Sequence, residues 1–266
     1  MLRSMYSGIS GMKNFQTKLD VIGNNIANVN TSGFKKGRVT FQDMMVQTTR
    51  PTQPATATRG GINAAQVGLG SQLGSIDNIH TQGFRQTTNN PLDFAIEGDG
   101  MFVLEGGNTD EQFFTRAGNF YLDAEGSIVN SQGYYLQGLN GSITIPDNAR
   151  SFSVLKDGTV NYIDENGDQQ TVDQIALANF SNPEGLEKIG NSLYVETDNA
   201  GRIGNLLAPE STDLSSSIMS GALEMSNVDL AEEFTEMITA QRGFQAITRI
   251  ITTSDQILEE LVNLKR

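Results

Sequence analysis

The 266-residue sequence contains no cysteine and no tryptophan, and its only histidine is His80. Without thiols there is no disulfide framework, no thiolate metal site and no cysteine nucleophile, and a lone imidazole excludes His-rich metal centres. Basic residues are scarce: 18 Lys and Arg stand against 31 Asp and Glu, a net charge of −13. That balance leaves no broad positive surface for a phosphate backbone, so nucleic acid is not expected as a partner. Aromatics are 7% and hydrophobic residues 37%, which with 28 glycines implies many turns around modest cores. No apolar run approaches the roughly 20 residues of a membrane-spanning helix, and the start MLRSMYSGISGMKNF lacks the apolar centre of a cleavable signal. The expectation is a chain that is soluble when made, is not inserted in a membrane, and leaves the cell, if it does, by an unconventional route.

What is present is a change of period along the chain. In the first thirty residues Met5, Met12, Leu19 and Ile26 recur every seven, interleaved with Phe15, Ile22 and Val29 and extended upstream by Leu2 and Ile9. This is the patterning of an amphipathic helix. Gly8, Gly11 and Gly23 each cost such a helix about 1 kcal/mol relative to Ala, so alone it should fray. The last forty residues carry a stronger stripe: Leu230, Met237, Phe244, Ile251 and Leu258, flanked by Ala240, Ile247 and Leu261. Ser226 three residues before Asp229 has the form of a capping box, Glu232 and Glu233 follow in the first turn, and Lys265 and Arg266 follow the stripe.

Charge separates in the same way. Residues 1–40 carry Arg3, Lys13, Lys18, Lys35, Lys36 and Arg38 against Asp20 alone, whereas residues 224–266 carry eight acids against four bases. Exposed ion pairs contribute only about 0–1 kcal/mol each, so this complementarity would guide pairing of the two helices while the apolar stripes supply cohesion.

From about residue 91 to 205 the period becomes two, in pairs such as Ile143 and Ile145, Phe152 and Val154, Val160 and Tyr162, Ile175 and Leu177, and Leu193 and Val195. Turn signals punctuate them, among them Gly106-Gly107-Asn108, Glu125-Gly126, Asp157-Gly158 and Asn166-Gly167. The pattern predicts short antiparallel strands in a compact β domain. Residues 46–75, rich in Thr, Gln, Gly and Pro without sustained period, read as extended chain or a long loop. The fold class is therefore α+β, divided into an N-terminal helix (1–30), an extended connection (31–90), a mainly antiparallel β domain (91–220) and a C-terminal helix (221–266) that pairs with the first in coiled-coil fashion.

Motifs that suggest chemistry do not hold. Asp164-Glu165-Asn166-Gly167-Asp168 resembles the start of a calcium loop, but Gln169 and Ile175 stand where Gly and Glu are needed, which leaves a hairpin turn. Gly68, Gly70 and Gly74 miss the dinucleotide spacing, and His80 has no second metal ligand at a recognised interval, so a surface or loop role is expected for it. No catalytic residue, metal site or cofactor is expected, and the residues do not point to an enzyme.

Four stretches carry a family resemblance: LDVIGNNIANVNTSGFKK (19–36), NPLDFAIEGDGMFVL (90–104), FTRAGNFYLDAEGSIVNSQGYYLQG (114–138) and SNVDLAEEFTEMITAQRGFQAITRIITTSDQIL (226–258). Together they closely resemble bacterial flagellar axial proteins. Within that family the chain is most similar to the short hook proteins of Gram-positive bacteria, followed by the distal rod protein, which has similar length and layout. A secreted ligand-binding β module with helical flanks is the alternative from another class.

The resemblance implies a helical homopolymer in the flagellar basal body, outside the cell, serving as a flexible joint that transmits torque. Terminal helices would pair in the inner tube, through Met5, Ile9, Met12, Phe15, Leu19, Ile22, Ile26, Val29, Leu230, Met237, Phe244, Ile247, Ile251, Leu258 and Leu261. It implies rod proteins, a hook cap, hook–filament junction proteins and the flagellar type III export apparatus as partners. Early export substrates of this kind share a Phe-x-x-x-hydrophobic element, a form that Phe41 to Met45 has. Gly243 and Ile247 depart from the family's usual residues at those positions, which bears on local packing.

Overall fold

The computed structural model describes residues 2–56, 58–106, 111–165, 167–211 and 215–264, without the side chains of Leu2 and Asn205. The turn signal at Gly107-Asn108, Asn166 of the calcium-like stretch, and the terminal Lys265 and Arg266 lie outside those residues. The chain divides into a helical unit (Met1–Ala27, Gly37–Asp77, Asp229–Arg266) and a β unit (Asn28–Lys36, Asn78–Val228).

In the helical unit the two seven-residue series form α1 (Leu2–Ala27) and α2 (Leu230–Asn263). At 1.5 Å per residue these are about 39 and 51 Å long. The helices run antiparallel and touch along their length: Lys18 Nζ lies 3.0 Å from Glu236 Oε2, and Asn25 Nδ2 donates to both Glu233 carboxylate oxygens at 3.3 and 3.2 Å. The start of α2 differs from the capping-box expectation. Asp229 is itself the cap, its carboxylate accepting from the N–H groups of Ala231 and Glu232, while Ser226 Oγ accepts from Val228 N–H. Ser226 and Val228 are buried in extended chain, so the helix begins only where the backbone leaves that packing.

Residues 46–75 are largely paired, which their lack of period did not suggest. Strand Gly37–Asp43 pairs with Ser71–Asn78, and Val46–Arg50 with Ala65–Gly68. Bridges Gln53 to Ile62 and Thr56 to Arg59 carry the pairing toward the tip of one long two-stranded ribbon. The reason lies in exposure: in Val46–Arg50 every residue faces solvent, so neither side of the ribbon selects apolar residues and no alternation is written into the sequence. At its base the ribbon is tied to α1, since Asn14 Nδ2 donates to Ser71 Oγ at 2.8 Å and Asn25 exchanges hydrogen bonds with the main chain of Gly37.

In the β unit a nine-stranded sheet runs in the order Glu187–Gly190, Leu193–Val195, Gln112–Thr115, Met101–Glu105, Tyr135–Leu136, Ile128–Val129, Tyr121–Leu122, with Leu177–Phe180 joining Met101–Glu105 to Arg202–Leu207. Every assigned pairing in it is antiparallel. Strand Met101–Glu105 is buried on both sides. Phe102 and Leu104 enter a core with Phe94, Phe120, Ile128, Leu136 and Ile175, and Met101 and Val103 enter a second with Phe114, Phe180 and Tyr194. A continuous apolar run is what such a strand requires. Phe152, Val154, Val160, Tyr162, Leu193 and Val195 lie in strands as their alternation predicts. Ile143 and Ile145 are buried in bridged irregular chain instead, and alternation fails at 175–178, where all four residues are buried. The calcium-like segment is the turn between Thr159–Ile163 and Gln169–Gln174, closed by Asp164 N–H to Asp168 O at 3.1 Å.

Candidate assembly interface

The seam between α1 and α2 is built from large side chains seated over glycines. A Cβ on Gly243 would lie 2.6 Å from the ring of Phe15, and one on Gly11 2.9 Å from Ile247 Cδ1. Gly8 faces Ile251 in the same way. Gly8, Gly11 and Gly243 therefore let the helices approach closely, returning packing for the helix propensity they cost. Phe15 fills the space that a side chain at position 243 would take. Gly23 has nothing within 4 Å of an added Cβ and plays no such part.

The expected interface residues divide into two groups. Ile22 is buried, and Met5, Met12, Phe15, Leu19, Ile26, Met237, Phe244, Ile247, Ile251 and Leu258 are half-buried. Ile9, Leu230 and Leu261 are exposed, and half-buried Val29 falls in the turn after α1, in the β unit. Phe234, Ile238, Ile250 and Ile257 on α2, Leu264 at its C-terminal cap, and Tyr6 on α1 are exposed large apolar residues that the heptad reading left out. They are missed because a heptad count selects one stripe, and these residues lie off it. Phe41 and Met45 of the export-type element are both exposed, the latter at 82%, on the ribbon.

Lys18 pairs with Glu236 across the helices, and the buried, uncharged Asn25 hydrogen-bonds to Glu233. Lys35, counted with the basic N-terminal stretch, acts in the β unit. Its Nζ lies 2.6 Å from Glu224 Oε1 and donates to Thr81 O at 2.8 Å, and Arg116 Nε donates to Glu224 Oε2 at 2.8 Å. All three side chains are 5% exposed or less. Burial alone would raise the Glu224 pKa, but Arg116, Lys35 and the Gly83 N–H outweigh it and hold the carboxyl below its usual range. Burial dominates at Lys35 and lowers its pKa despite the attraction of Glu224. The Gly33 N–H donates to Glu224 O, and Asn227 joins the Lys36 N–H to the carbonyls of Ile79 and Thr81, so the chain segments around 33–36, 79–84 and 224–227 are locked together by polar groups. Spacing could not reveal this lock, because its members are 189 and 108 residues apart.

His80 lies in the loop between Ser71–Asn78 and Arg85–Thr87, as expected, but half-buried and not free on the surface. Both ring nitrogens are buried without a hydrogen-bond partner, and the ring centroid lies 5.6 Å from that of Tyr194. Burial first, then Lys35, Arg116 and Lys188, lower its pKa to about 4, which keeps the imidazole neutral. The open cleft it lines, about 260 Å³, also meets Lys35 and Arg116, but these direct their charge at Glu224 and at main-chain carbonyls. Among the described residues no group of three or more acids and histidines could hold a metal ion, and no helix is long and apolar enough to cross a membrane.

Comparison with known proteins finds matches along most of the chain. Residues 5–35 match the family "Flagella basal body rod protein", 95–162 the "Flagellar hook protein FlgE/F/G D1 domain", and 219–264 the "Flagellar basal body rod FlgEFG protein C-terminal". The chain is 56% identical over 267 residues to the flagellar basal-body rod protein FlgG of Bacillus subtilis, covering 100% of both chains. It is 39% identical to FlgG of Caulobacter vibrioides, covering 99% of this chain and 100% of that one. The flagellar hook protein FlgE of Borreliella burgdorferi matches at 31% identity along an alignment of 447 positions, covering 100% of both. The chain belongs to the flagellar rod and hook family, as a structural axial subunit of the flagellum.

Proposed function

We propose that the protein polymerises helically into a tube of the flagellar rod, outside the cell, after passing through the flagellar type III export apparatus. The observation that carries this reading is apolar surface at both ends of the chain, on α1 and α2, that one copy leaves exposed. Neighbouring copies cover it in the tube, so cohesion scales with apolar area at roughly 25 cal/mol per Å². Coiled-coil-like pairing of the seam supplies torsional stiffness. The export element is assigned to Phe41–Met45 on its exposure. Partners are further copies of the chain and the rod and hook subunits at either end.

Length favours the rod over the hook: the relatives named rod proteins align with this chain over nearly its own 266 residues, while the hook relative needs 447 positions. A short hook, with cap and junction proteins as neighbours, is the second reading, favoured by the end-to-end match to a hook protein. Electron microscopy of basal bodies from a strain lacking the gene decides between them. Loss of the distal rod together with the hook supports the rod assignment; an intact rod without a hook supports the second reading. Basal bodies that keep both overturn the axial role.

A further inference from the structure

The cleft beside His80 lies wholly within the β unit, and the charges around it do not cancel. Lys35 and Arg116, both in its lining, share one carboxylate, Glu224, so the buried lock keeps one positive charge over. Lys188 adds another nearby: its Nζ rests 4.2 Å from the centroid of the Phe34 ring and makes no ion pair among the described residues. All three cations act on the imidazole and disfavour a proton there. The acid in the lining, Asp99, is exposed, where water and salt screen its charge. Residues 78–228 carry 21 acids against six Lys and Arg, so a positive concavity is the exception on this unit. Met101, Phe180 and Pro183 give the same cleft an apolar side.

His80 supplies a donor that the protein itself does not use. Neither ring nitrogen has a partner or reaches solvent, and an unpaired buried N–H costs free energy. With no hydrogen bond to break, a half-turn about Cβ–Cγ exchanges Nδ1 with Cδ2 and Nε2 with Cε1, so the ring can turn a nitrogen toward the cleft it lines. The hydroxyl of Tyr194, whose ring lies against His80, is likewise buried without a partner, and burial pushes its pKa up to about 12, so it keeps its proton. We infer that the cleft binds a small organic carboxylate, its oxygens accepting from the His80 N–H in the field of Lys35, Arg116 and Lys188, its carbon chain against Phe180 and Pro183. A cleft of about 260 Å³ has room for several water-sized groups, which suits an acid of a few carbon atoms. The site is independent of the axial reading, since every residue in it belongs to one β unit.

The full-length chain, kept monomeric at pH 7 and constant ionic strength, is titrated with sodium propionate while the proton NMR signal of its single imidazole is followed. Propionate should shift that signal saturably. Propionamide, the same shape without the charge, should leave it in place. A carboxylate held beside the ring favours its protonated form, so saturating propionate should raise the folded-state midpoint of His80 by roughly one pH unit, a tenfold gain in proton affinity. Lys188→Gln, which removes a cation from outside the lining, should weaken propionate binding several-fold. Asp99→Asn, at an exposed position that folding does not depend on, should strengthen it and keeps the proposal open to refutation where Lys188→Gln fails to fold. No saturable shift, an equal response to propionamide, or an affinity that Asp99→Asn leaves unchanged or lowers would overturn the assignment.

Discussion

Acid should unfold the β unit through His80 before it acts through any salt bridge. Folding lowers the imidazole pKa from 6.5 to about 4, by burial and by the nearby Lys35, Arg116 and Lys188. Between those values the unfolded chain binds a proton that the folded one refuses, so stability is full above pH 6.5 and declines as the pH falls. Each tenfold difference in proton affinity between the two states corresponds to about 1.4 kcal/mol, so at pH 4.5 the loss relative to pH 7.5 comes to roughly 2.5 kcal/mol. Glu224 does not share this window, because its carboxyl titrates below the usual carboxylate range. Urea unfolding followed by tyrosine fluorescence at the two pH values measures the loss, and His80→Gln should remove most of it. As the only histidine, His80 gives a single imidazole signal in proton NMR. A folded-state midpoint near 6.5, or an unchanged acid loss in His80→Gln, would refute the argument.

Glu224→Gln leaves Lys35 and Arg116 buried beside an uncharged amide and should cost about 3–5 kcal/mol of β-unit stability, read by urea unfolding at pH 7.5. Gly243→Ala drives a methyl group into the Phe15 ring, so despite a gain of about 1 kcal/mol in helix propensity it should lower the helical unit's stability by about 1–2 kcal/mol, followed at 222 nm. Gly23→Ala meets no neighbour and should raise it by about 1 kcal/mol; a loss there would mean that Gly23 has a packing role that a single copy does not display.

How much of this could be read in the sequence follows from how far apart the cooperating residues are. A helix carries its own period, so the stripes of α1 and α2 stand out within twenty residues, and a half-buried strand such as Ser151–Val154 shows its alternation within four. The outer ribbon is written in no period at all, because Val46–Arg50 meets solvent on both faces and pairs with Ala65–Gly68 through its backbone, whereas the base, 37–43 with 71–78, is partly buried and tied to α1 by Asn14 and Asn25. The polar locks are invisible for a different reason. Asn25 and Glu233 are 208 residues apart, and nothing local distinguishes Asn25 from its neighbour Asn24, yet Asn25 is 1% exposed and binds α2 and Gly37 at once. A buried amide or carboxylate costs free energy unless every partner arrives, so each lock disfavours other registers of the segments it joins. A slip of one turn would carry Phe15 off Gly243, the one place where its ring finds no opposing side chain, and would leave Asn25 without Glu233. The stripes thus specify that the helices pair, and the glycine seats together with these polar contacts, legible only in three dimensions, specify where.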